Sequence, residues 1–175
     1  MTLPLRKPSA AQPAAASDPR TYFSAATLAK FDAQVAQYPD PKAALIPILH
    51  YAQEEKGWIS RETCEVIATY LKMPAIRVWE VMTFYPMFHQ EPVGRHVAWV
   101  CRNISCDLRG ADEIVATFYK KCGIEPGETT ADGKLTLKLA ECLGGCAAAP
   151  MMDVDGIYHE NLTPESVERL LDGLK

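Results

Sequence analysis

Apolar residues recur every three to four positions between Ser24 and Tyr85. This spacing is typical of amphipathic α-helices, in which one side of each helix is apolar. Four stripes follow one another: Leu28, Phe31, Val35 and Tyr38; Leu45, Ile48, Leu49 and Ala52; Cys64, Ile67, Ala68 and Leu71; Ala75, Val78, Trp79 and Met82. Four short helices bury such sides against one another, so the pattern predicts a small helical bundle.

Capping residues and prolines mark the boundaries of these helices. Asp40 followed by Pro41 predicts an N-cap and a first-turn proline. Pro47 lies inside the second stripe, and it predicts either a kink or a later helix start. Gly57 predicts the end of that helix, and Ser60 is a suitable cap for the next one.

Beyond His96 the pattern changes from a helical period to alternation, which favours β-strands. Asp155 followed by Gly156 predicts a hairpin with a type I′ turn. Thr163 before a proline predicts the start of a last helix. The predicted order is strand, helix, strand, hairpin and helix, over residues 96–100, 110–122, 135–141, 151–159 and from 163 onward. This order predicts a mixed sheet with helices packed on it, so the expected fold class is α+β.

Three segments follow from these patterns. Residues 1–22 are rich in Ala, Pro and Ser, and we expect a disordered tail there. Residues 23–91 are expected to form the helical bundle domain and residues 92–175 the sheet domain, with a linker at 91–94. Prolines in the tail break the amphipathic helix that a mitochondrial transit peptide requires, so we expect a bacterial source.

Composition excludes several classes of protein. The hydrophobic content of 48% and charged content of 23% are ordinary for a soluble globular protein. A net charge of −4 argues against a general nucleic-acid binder. The longest apolar runs, such as residues 43–49, are far too short to span a bilayer. Six cysteines without a secretory signal predict a reducing compartment and metal ligation.

Two cysteine pairs directly follow the two predicted strands. Cys101 and Cys106 come after the first strand, and Cys142 and Cys146 come after the second. If the strands are neighbours, both pairs lie at one edge of the sheet, beyond the carboxyl ends of the strands, where open α/β sheets place their ligands. Four thiolates that converge on one point predict a soft metal centre.

The spacing within the pairs leaves three kinds of site open. Structural zinc usually takes C-x₂₋₄-C pairs, and the spacings here are wide for it. A [2Fe–2S] cluster takes four cysteines, and plant-type ferredoxins share the C-x₄-C step. Disulfides are the third alternative. A Rieske site is excluded because no histidine lies in either loop, and a dithiol redox motif because neither pair is C-x-x-C. Cys64 and Cys122 lie on apolar helix stripes and are interpreted as buried side chains.

The second cysteine loop contains Gly144 and Gly145, which lack a Cβ and allow backbone N–H groups to turn inward. A cluster with four thiolates is negative, and N–H donors therefore favour its reduced state. Arg102 and Arg109 would act in the same direction, although each is more simply explained as a solvated side chain.

The cysteine loops and their flanks resemble a known family. The matching stretches are Cys101-x₄-Cys106 and residues 109–113, 141–146 and 149–151, with residues 57–59 and 81–85 upstream. Together they resemble the thioredoxin-like [2Fe–2S] subunits of respiratory complex I, the NADH:quinone oxidoreductase, over about residues 24–174. Many relatives have alanine where this chain has Gly145, which is a mild change.

The resemblance implies a fold, a cofactor and partners. It implies a thioredoxin-like second domain that holds one [2Fe–2S] cluster on Cys101, Cys106, Cys142 and Cys146. It also implies an electron-transfer subunit that exchanges single electrons with the FMN of an NADH-binding flavoprotein subunit, with a large iron–sulfur subunit as a second partner. The expected location is cytoplasmic, on the inner face of the bacterial inner membrane. By the same analogy, Trp58 and residues 84–88 either dock onto neighbouring subunits or pack between the two halves of the chain.

Several catalytic motifs are missing from the sequence. It has no G-x-G-x-x-G, no P-loop, no Ser-His-Asp arrangement and no HExxH. We therefore expect no NADH or quinone site and no catalytic acid or base on this chain. Three alternatives remain: the equivalent subunit of an NAD-reducing hydrogenase or NAD-dependent formate dehydrogenase, a binding module stapled by zinc, and a free-standing ferredoxin.

Overall fold

Two units of different architecture make up the chain in the computed structural model, which describes residues 17–174. The chain divides into compact units after Pro92, with helices before this point and a four-stranded sheet with helices after it. The predicted combination of helices and a mixed sheet is confirmed. Within the described residues, no helix has both the length and the apolarity that crossing a membrane requires.

The first unit consists of short capped helices. Its described elements are α1 (Pro19–Tyr22), α2 (Ala25–Val35), a 3₁₀ turn (Pro41–Ala44), α3 (Leu45–Lys56), α4 (Arg61–Leu71) and α5 (Ala75–Phe84). The Ser24 hydroxyl caps α2 by accepting the N–H of Thr27, and Ser60 caps α4 by accepting the N–H of Thr63. Gly57 ends α3 with a left-handed φ of +81°, which glycine adopts without steric cost.

Pro47 marks a later helix start, which is one of the two predicted outcomes. It is the third residue of α3 and therefore lies in the first turn, where no backbone N–H is needed as a donor. The residues before it form the 3₁₀ turn instead, capped by the Asp40 carboxylate, which accepts the N–H of Lys42 at 3.0 Å.

The core of the first unit contains the side chains predicted for it, with two exceptions. Fully buried members include Phe31, Ile48, Leu49, Ile67 and Met82. Cys64 belongs to this core, as predicted. The prediction is wrong for Trp79, which is 37% exposed, because α5 buries only Val78 and Met82 and its apolar side is narrower than the stripe. It is also wrong for Tyr38, which lies beyond the end of α2 and is exposed.

Residues 1–16 of the tail that we expect to be disordered lie outside the described residues. The end of that tail forms α1, where the Asp18 carboxylate caps the helix by accepting the N–H of Arg20 and Pro19 occupies the first turn. Asp followed by Pro is itself a helix-start signal, which the composition of the tail obscures.

The second unit carries the sheet. Its elements are β1 (His96–Cys101), α6 (Ile104–Asp107), α7 (Ala111–Cys122), β2 (Leu135–Ala140), a 3₁₀ turn (Cys146–Ala148), β3 (Met152–Val154), β4 (Ile157–His159) and α8 (Pro164–Gly173). The strand order is β2-β1-β3-β4, with β1 parallel to β2 and antiparallel to β3. Asp155 and Gly156 both have positive φ, which confirms the type I′ turn. The short helix α6 is absent from the sequence-based prediction.

Gly94 is a packing residue of the sheet, not part of a loose linker. It is buried, and its N–H donates to the Thr136 Oγ1 at 2.6 Å. A Cβ on Gly94 would lie 2.8–3.0 Å from backbone atoms of Leu135, the first residue of β2. Those atoms are fixed by pairing with β1, so they cannot yield as a side chain would.

Glu55 ties the end of α3 to the start of α2. Its carboxylate accepts the backbone N–H of Ser24 at 3.1 Å and the Ser24 hydroxyl at 2.9 Å. Burial alone would raise the pKa of Glu55. Hydrogen bonds from Thr27 and Ser24 outweigh burial, and with the ammonium of Lys56 they lower the pKa to about 2.

Gly94→Ala is expected to lower the free energy of unfolding by about 1–3 kcal/mol, because the added methyl overpacks against fixed backbone. Urea denaturation followed by circular dichroism measures this change. Gly173→Ala is the matched control, since a Cβ there meets nothing within 4 Å and the helix position favours alanine. Equal stability of the two variants would contradict the packing role of Gly94.

Glu55→Gln is expected to lower the free energy of unfolding by about 1–2 kcal/mol at pH 7, because a charged hydrogen-bond acceptor is lost. Since folding lowers the pKa of Glu55, its contribution is fully present above about pH 4.5 and disappears as the pH falls towards about 2. Denaturation of both proteins across this pH range measures the difference. A difference that stays constant down to pH 2 would show that the charge of Glu55 is not the cause.

Candidate metal centre

The first cysteine pair lies at the carboxyl end of β1. Cys101 is the last residue of this strand and is 2% exposed, and its N–H donates to the Met151 carbonyl at 3.1 Å. Asn103 then caps α6, with its side-chain oxygen accepting the N–H of Ile104. This helix carries Cys106, which is 1% exposed. The helical turn brings the Cys106 thiol back into contact with that of Cys101.

The second pair follows β2 at the same end of the sheet. Ala140 is paired with Cys101, so the two parallel strands end side by side. Cys142 lies two residues after this last pair. Gly144 has a φ of +81°, and its N–H donates to the Cys142 Sγ at 3.4 Å. Cys146 begins a short 3₁₀ turn, and both cysteines of this pair are exposed.

The fold brings the four predicted cysteines together from two loops about 35 to 45 residues apart in sequence. Cys101 is in hydrogen-bonding contact with Cys106 and Cys142, and Cys146 is close enough to Cys106 for their charges to interact. Four convergent thiols are the donor set of a soft metal centre.

Cys101 is the most acidic position of the first pair. Burial alone would raise the pKa of its thiol. The backbone N–H groups of Asn103 and Leu143, with the thiols of Cys106 and Cys142, outweigh burial and hold the pKa below its usual range. One of these N–H groups comes from each cysteine loop, so both loops contribute to stabilising a thiolate at Cys101.

Cys106 behaves in the opposite way. Burial raises the pKa of its thiol, and so do the hydrogen bond to Cys101 and the negative charge there, while the backbone N–H of Met151 opposes the rise. Cys101 therefore loses its proton more readily than Cys106 does. A cation bound between them would favour the deprotonated form of both thiols.

Asn103 links the two loops. Its side-chain N–H donates to the carbonyl of Glu141 at 3.0 Å, while its side-chain oxygen caps α6. The backbone N–H of Arg102 donates to the carbonyl of Ala140 at 2.9 Å, which extends the parallel ladder to the start of the loops. Hydrogen bonds from the two residues directly after Cys101 therefore fix the spacing between the pairs.

The site has a dry side and a wet side. A small apolar cluster surrounds the first pair, formed by Ala111, Ala149 and Met151 with Leu143 packed against it. The second pair faces solvent. A metal centre here would have one face in a low-dielectric environment and the other accessible to a partner molecule.

The donor set fits two of the candidate metal centres. Four cysteine thiols can hold one structural zinc ion or the two irons of a [2Fe–2S] cluster. Two pairs on two separate loops suit a cluster in which the four thiolates are shared between two irons.

The other predicted residues lie away from the site or remain in solvent. Burial raises the pKa of the Cys64 thiol to about 12, with a further contribution from Glu65. Burial also raises the pKa of Cys122, which is half-buried at the end of α7. Arg102 is exposed and lies 3.6 Å from the exposed Glu141.

The sequence-based prediction did not include two residues of the site. Asn103 carried a usable signal, because asparagine is a favoured N-cap and the residues after it are compatible with a helical turn. Met151 lies in one of the stretches that carry the family resemblance, residues 149–151, but its contacts depend on how the second loop folds back on the first.

The chain matches the model of the thioredoxin-like [2Fe-2S] ferredoxin family over residues 31–175, and it belongs to that family. The predicted cofactor is confirmed at this level, because the family carries a [2Fe–2S] cluster. The predicted fold class is confirmed as well.

Several relatives are components of one enzyme. The E subunit of the NADH-quinone oxidoreductase from Rickettsia bellii is 40% identical over 144 residues, which are 81% of this chain and 86% of the relative. The corresponding E subunit from Escherichia coli K12 is 40% identical over 153 residues, which are 87% and 92%. Among solved structures, an NAD+-reducing [NiFe]-hydrogenase superposes with a TM-score of 0.66 at 21% identity, over 74% of this chain and 22% of that chain, and this likeness concerns the fold alone.

Asn103→Asp is expected to keep the cap of α6 and lose the hydrogen bond to the Glu141 carbonyl. Backbone amides in residues 141–146 should then exchange with deuterium faster, while those of α6 keep their protection. Asn103→Ala removes both contacts and should increase exchange in both loops. Unchanged exchange in the second loop of Asn103→Asp would show that this hydrogen bond does not fix the spacing of the pairs.

Proposed function

We propose that this chain is an electron-transfer subunit of an NADH:quinone oxidoreductase, with Cys101, Cys106, Cys142 and Cys146 as the ligands of one [2Fe–2S] cluster. The observation that carries the proposal is the meeting of two thiol pairs at one end of a parallel strand pair. The assignment to this complex is supported by relatives of that name at about 40% identity over most of both chains. Such a cluster supplies the one-electron chemistry that the proposed function requires.

The residues around the ligands would balance their negative charge. The N–H groups of Asn103 and Leu143 lower the pKa of Cys101, and the Gly144 N–H contacts Cys142. Donors to sulfur favour the more negative, reduced state, while the apolar side of the site opposes it. The chain would therefore set the reduction potential of the site, and it would need no general acid or base.

The electron count implies a flavoprotein partner. NADH releases a hydride, which carries two electrons, whereas a [2Fe–2S] centre takes one. A flavin can separate the pair, and we infer that the partner is the subunit that binds NADH and FMN. The exposed Cys142–Cys146 side is where that partner would approach. We also propose contact with a large iron–sulfur subunit and a position on the cytoplasmic face of the bacterial inner membrane.

The equivalent subunit of an NAD-reducing hydrogenase or NAD-dependent formate dehydrogenase is the second candidate. One observation favours it: the chain superposes on part of an NAD+-reducing [NiFe]-hydrogenase, so the same fold occurs in an enzyme of that class. Both candidates share the cluster and the flavin partner, so they differ only in the other chains of the complex.

Purification of the tagged chain from its own host tests the assignment to a complex. We expect a flavoprotein that contains FMN and the remaining subunits of an NADH:quinone oxidoreductase to co-purify. A hydrogenase or formate dehydrogenase subunit in their place would select the second candidate. Recovery of the chain alone under native conditions, with its cluster intact, would favour a free-standing ferredoxin.

Replacement of any one of the four proposed ligands by serine is expected to abolish or cripple the cluster. Visible absorption and EPR of the reduced protein measure the loss, and iron analysis gives the stoichiometry. Cys122→Ser and Cys64→Ser are the controls. They should keep the spectrum and lose only stability, by about 1–3 kcal/mol for a buried hydroxyl without a partner.

Two results would contradict the proposed ligand set. The first is loss of the EPR signal in Cys122→Ser or Cys64→Ser. The second is a colourless wild-type protein that contains one equivalent of zinc and unfolds on chelation, which would identify a zinc-stapled module instead.

A further inference from the structure

Met151 and Gly145 meet at the buried side of the thiol set. Met151 is fully buried, and it packs in the same small cluster as Cys101 and Cys106. A Cβ placed on Gly145 would collide with the Met151 sulfur. The thioether therefore occupies space that any larger residue at position 145 would need, and the two positions are coupled.

The backbone of Met151 is anchored to the first cysteine pair. Its carbonyl accepts the N–H of Cys101 at 3.1 Å, and its own N–H is in hydrogen-bonding contact with the Cys106 sulfur. The side chain of Met151 therefore starts from a point that is fixed relative to both sulfurs. Its other end rests on the second loop at Gly145, so one residue spans the two loops.

Packing keeps water away from this side of the site. Cys101 and Cys106 are 2% and 1% exposed, whereas Cys142 and Cys146 face solvent. Solvent access and hydrogen bonds to sulfur are among the factors that set the reduction potential of an iron–sulfur centre. Water next to a thiolate stabilises the more negative, reduced state and raises the potential, and a dry apolar shell lowers it.

We propose that Met151 is a positioning residue for electron transfer, whose thioether, seated against Gly145, keeps water from the buried sulfurs and holds the reduction potential low. Gly145 shares this role because glycine leaves room for the thioether. The inference rests on the proposed ligand set and goes beyond it, since it assigns a redox role to two residues that bind no metal.

The test compares reduction potentials of the full-length chain carrying its cluster, obtained by redox titration monitored by EPR. In Met151→Ala, water reaches the buried pair and the potential shifts to a more positive value. In Gly145→Ala, the new methyl displaces the flexible thioether and the shift has the same sign but is smaller. Met151→Leu retains apolar volume and keeps the wild-type potential.

Met152 provides a matched control. It is the next residue and is equally buried, but it belongs to the larger core of the sheet unit with Ala98 and Val100. Met152→Ala should lose stability as Met151→Ala does, without any change in potential. Pulsed EPR in D₂O gives a second readout, because new deuteron couplings should appear in reduced Met151→Ala and be absent from Met152→Ala.

The outcomes separate this inference from the proposed function. If the wild-type chain assembles no cluster, the proposed function falls and this inference falls with it. If the wild-type cluster assembles, three results overturn the role of Met151 alone. These are an unchanged potential in both Met151→Ala and Gly145→Ala, an equal shift in Met152→Ala, and failure of both site variants to take up the cluster.

Discussion

Parallel pairing of β1 with β2 is the interaction on which the site depends. The register runs from His96 opposite Leu135 to Cys101 opposite Ala140, so both strands end level and both loops leave the sheet at the same edge. A slip by one residue would turn each side chain of β2 to the other face and move the second loop out of reach of the first. The register is fixed at its far end by Gly94, whose backbone packs on Leu135 and bonds to Thr136. The geometry of the thiols is thus set partly at the opposite end of the strands.

Convergence of four thiols creates an electrostatic problem, which the two loops solve with backbone groups. Like charges raise the pKa of neighbouring thiols, as at Cys106, and burial has the same effect. The N–H groups of Asn103 and Leu143 reverse the outcome at Cys101, and each loop contributes one of them. Because these donors belong to the backbone, they persist through side-chain variation in the loops. The sequence must instead specify the local backbone conformations that point these N–H groups at the sulfurs, including the positive φ of Gly144.

Features that depend on local pattern could be predicted from the sequence, and features that depend on contacts between distant residues could not. Helix stripes, caps, the hairpin turn and the position of both cysteine pairs at strand ends all follow from periodicity and turn chemistry. Trp79 was misassigned because helical spacing cannot show how wide the buried side of α5 is. The sequence places Gly94 in a linker, whereas the structure packs it against the backbone of Leu135, which leaves no room for a Cβ. Leu135 lies 41 residues away, so the local sequence does not show this contact. The contact between Met151 and Gly145 could not be predicted either, because it forms only after the second loop has folded.

The helical unit favours a component of a larger complex over a free-standing carrier. Every proposed ligand, and every backbone donor to it, lies in the sheet unit, so the ligand set itself needs nothing from the helices. Helix α5 nevertheless exposes large apolar side chains, with Ile76 at 59% and Phe84 at 76% exposure. Isolated exposed apolar residues are ordinary in soluble proteins, but several on one short helix are typical of a surface that contacts another chain. Contact with another subunit would keep such a surface permanently covered, whereas a free-standing carrier would expose it to water between encounters.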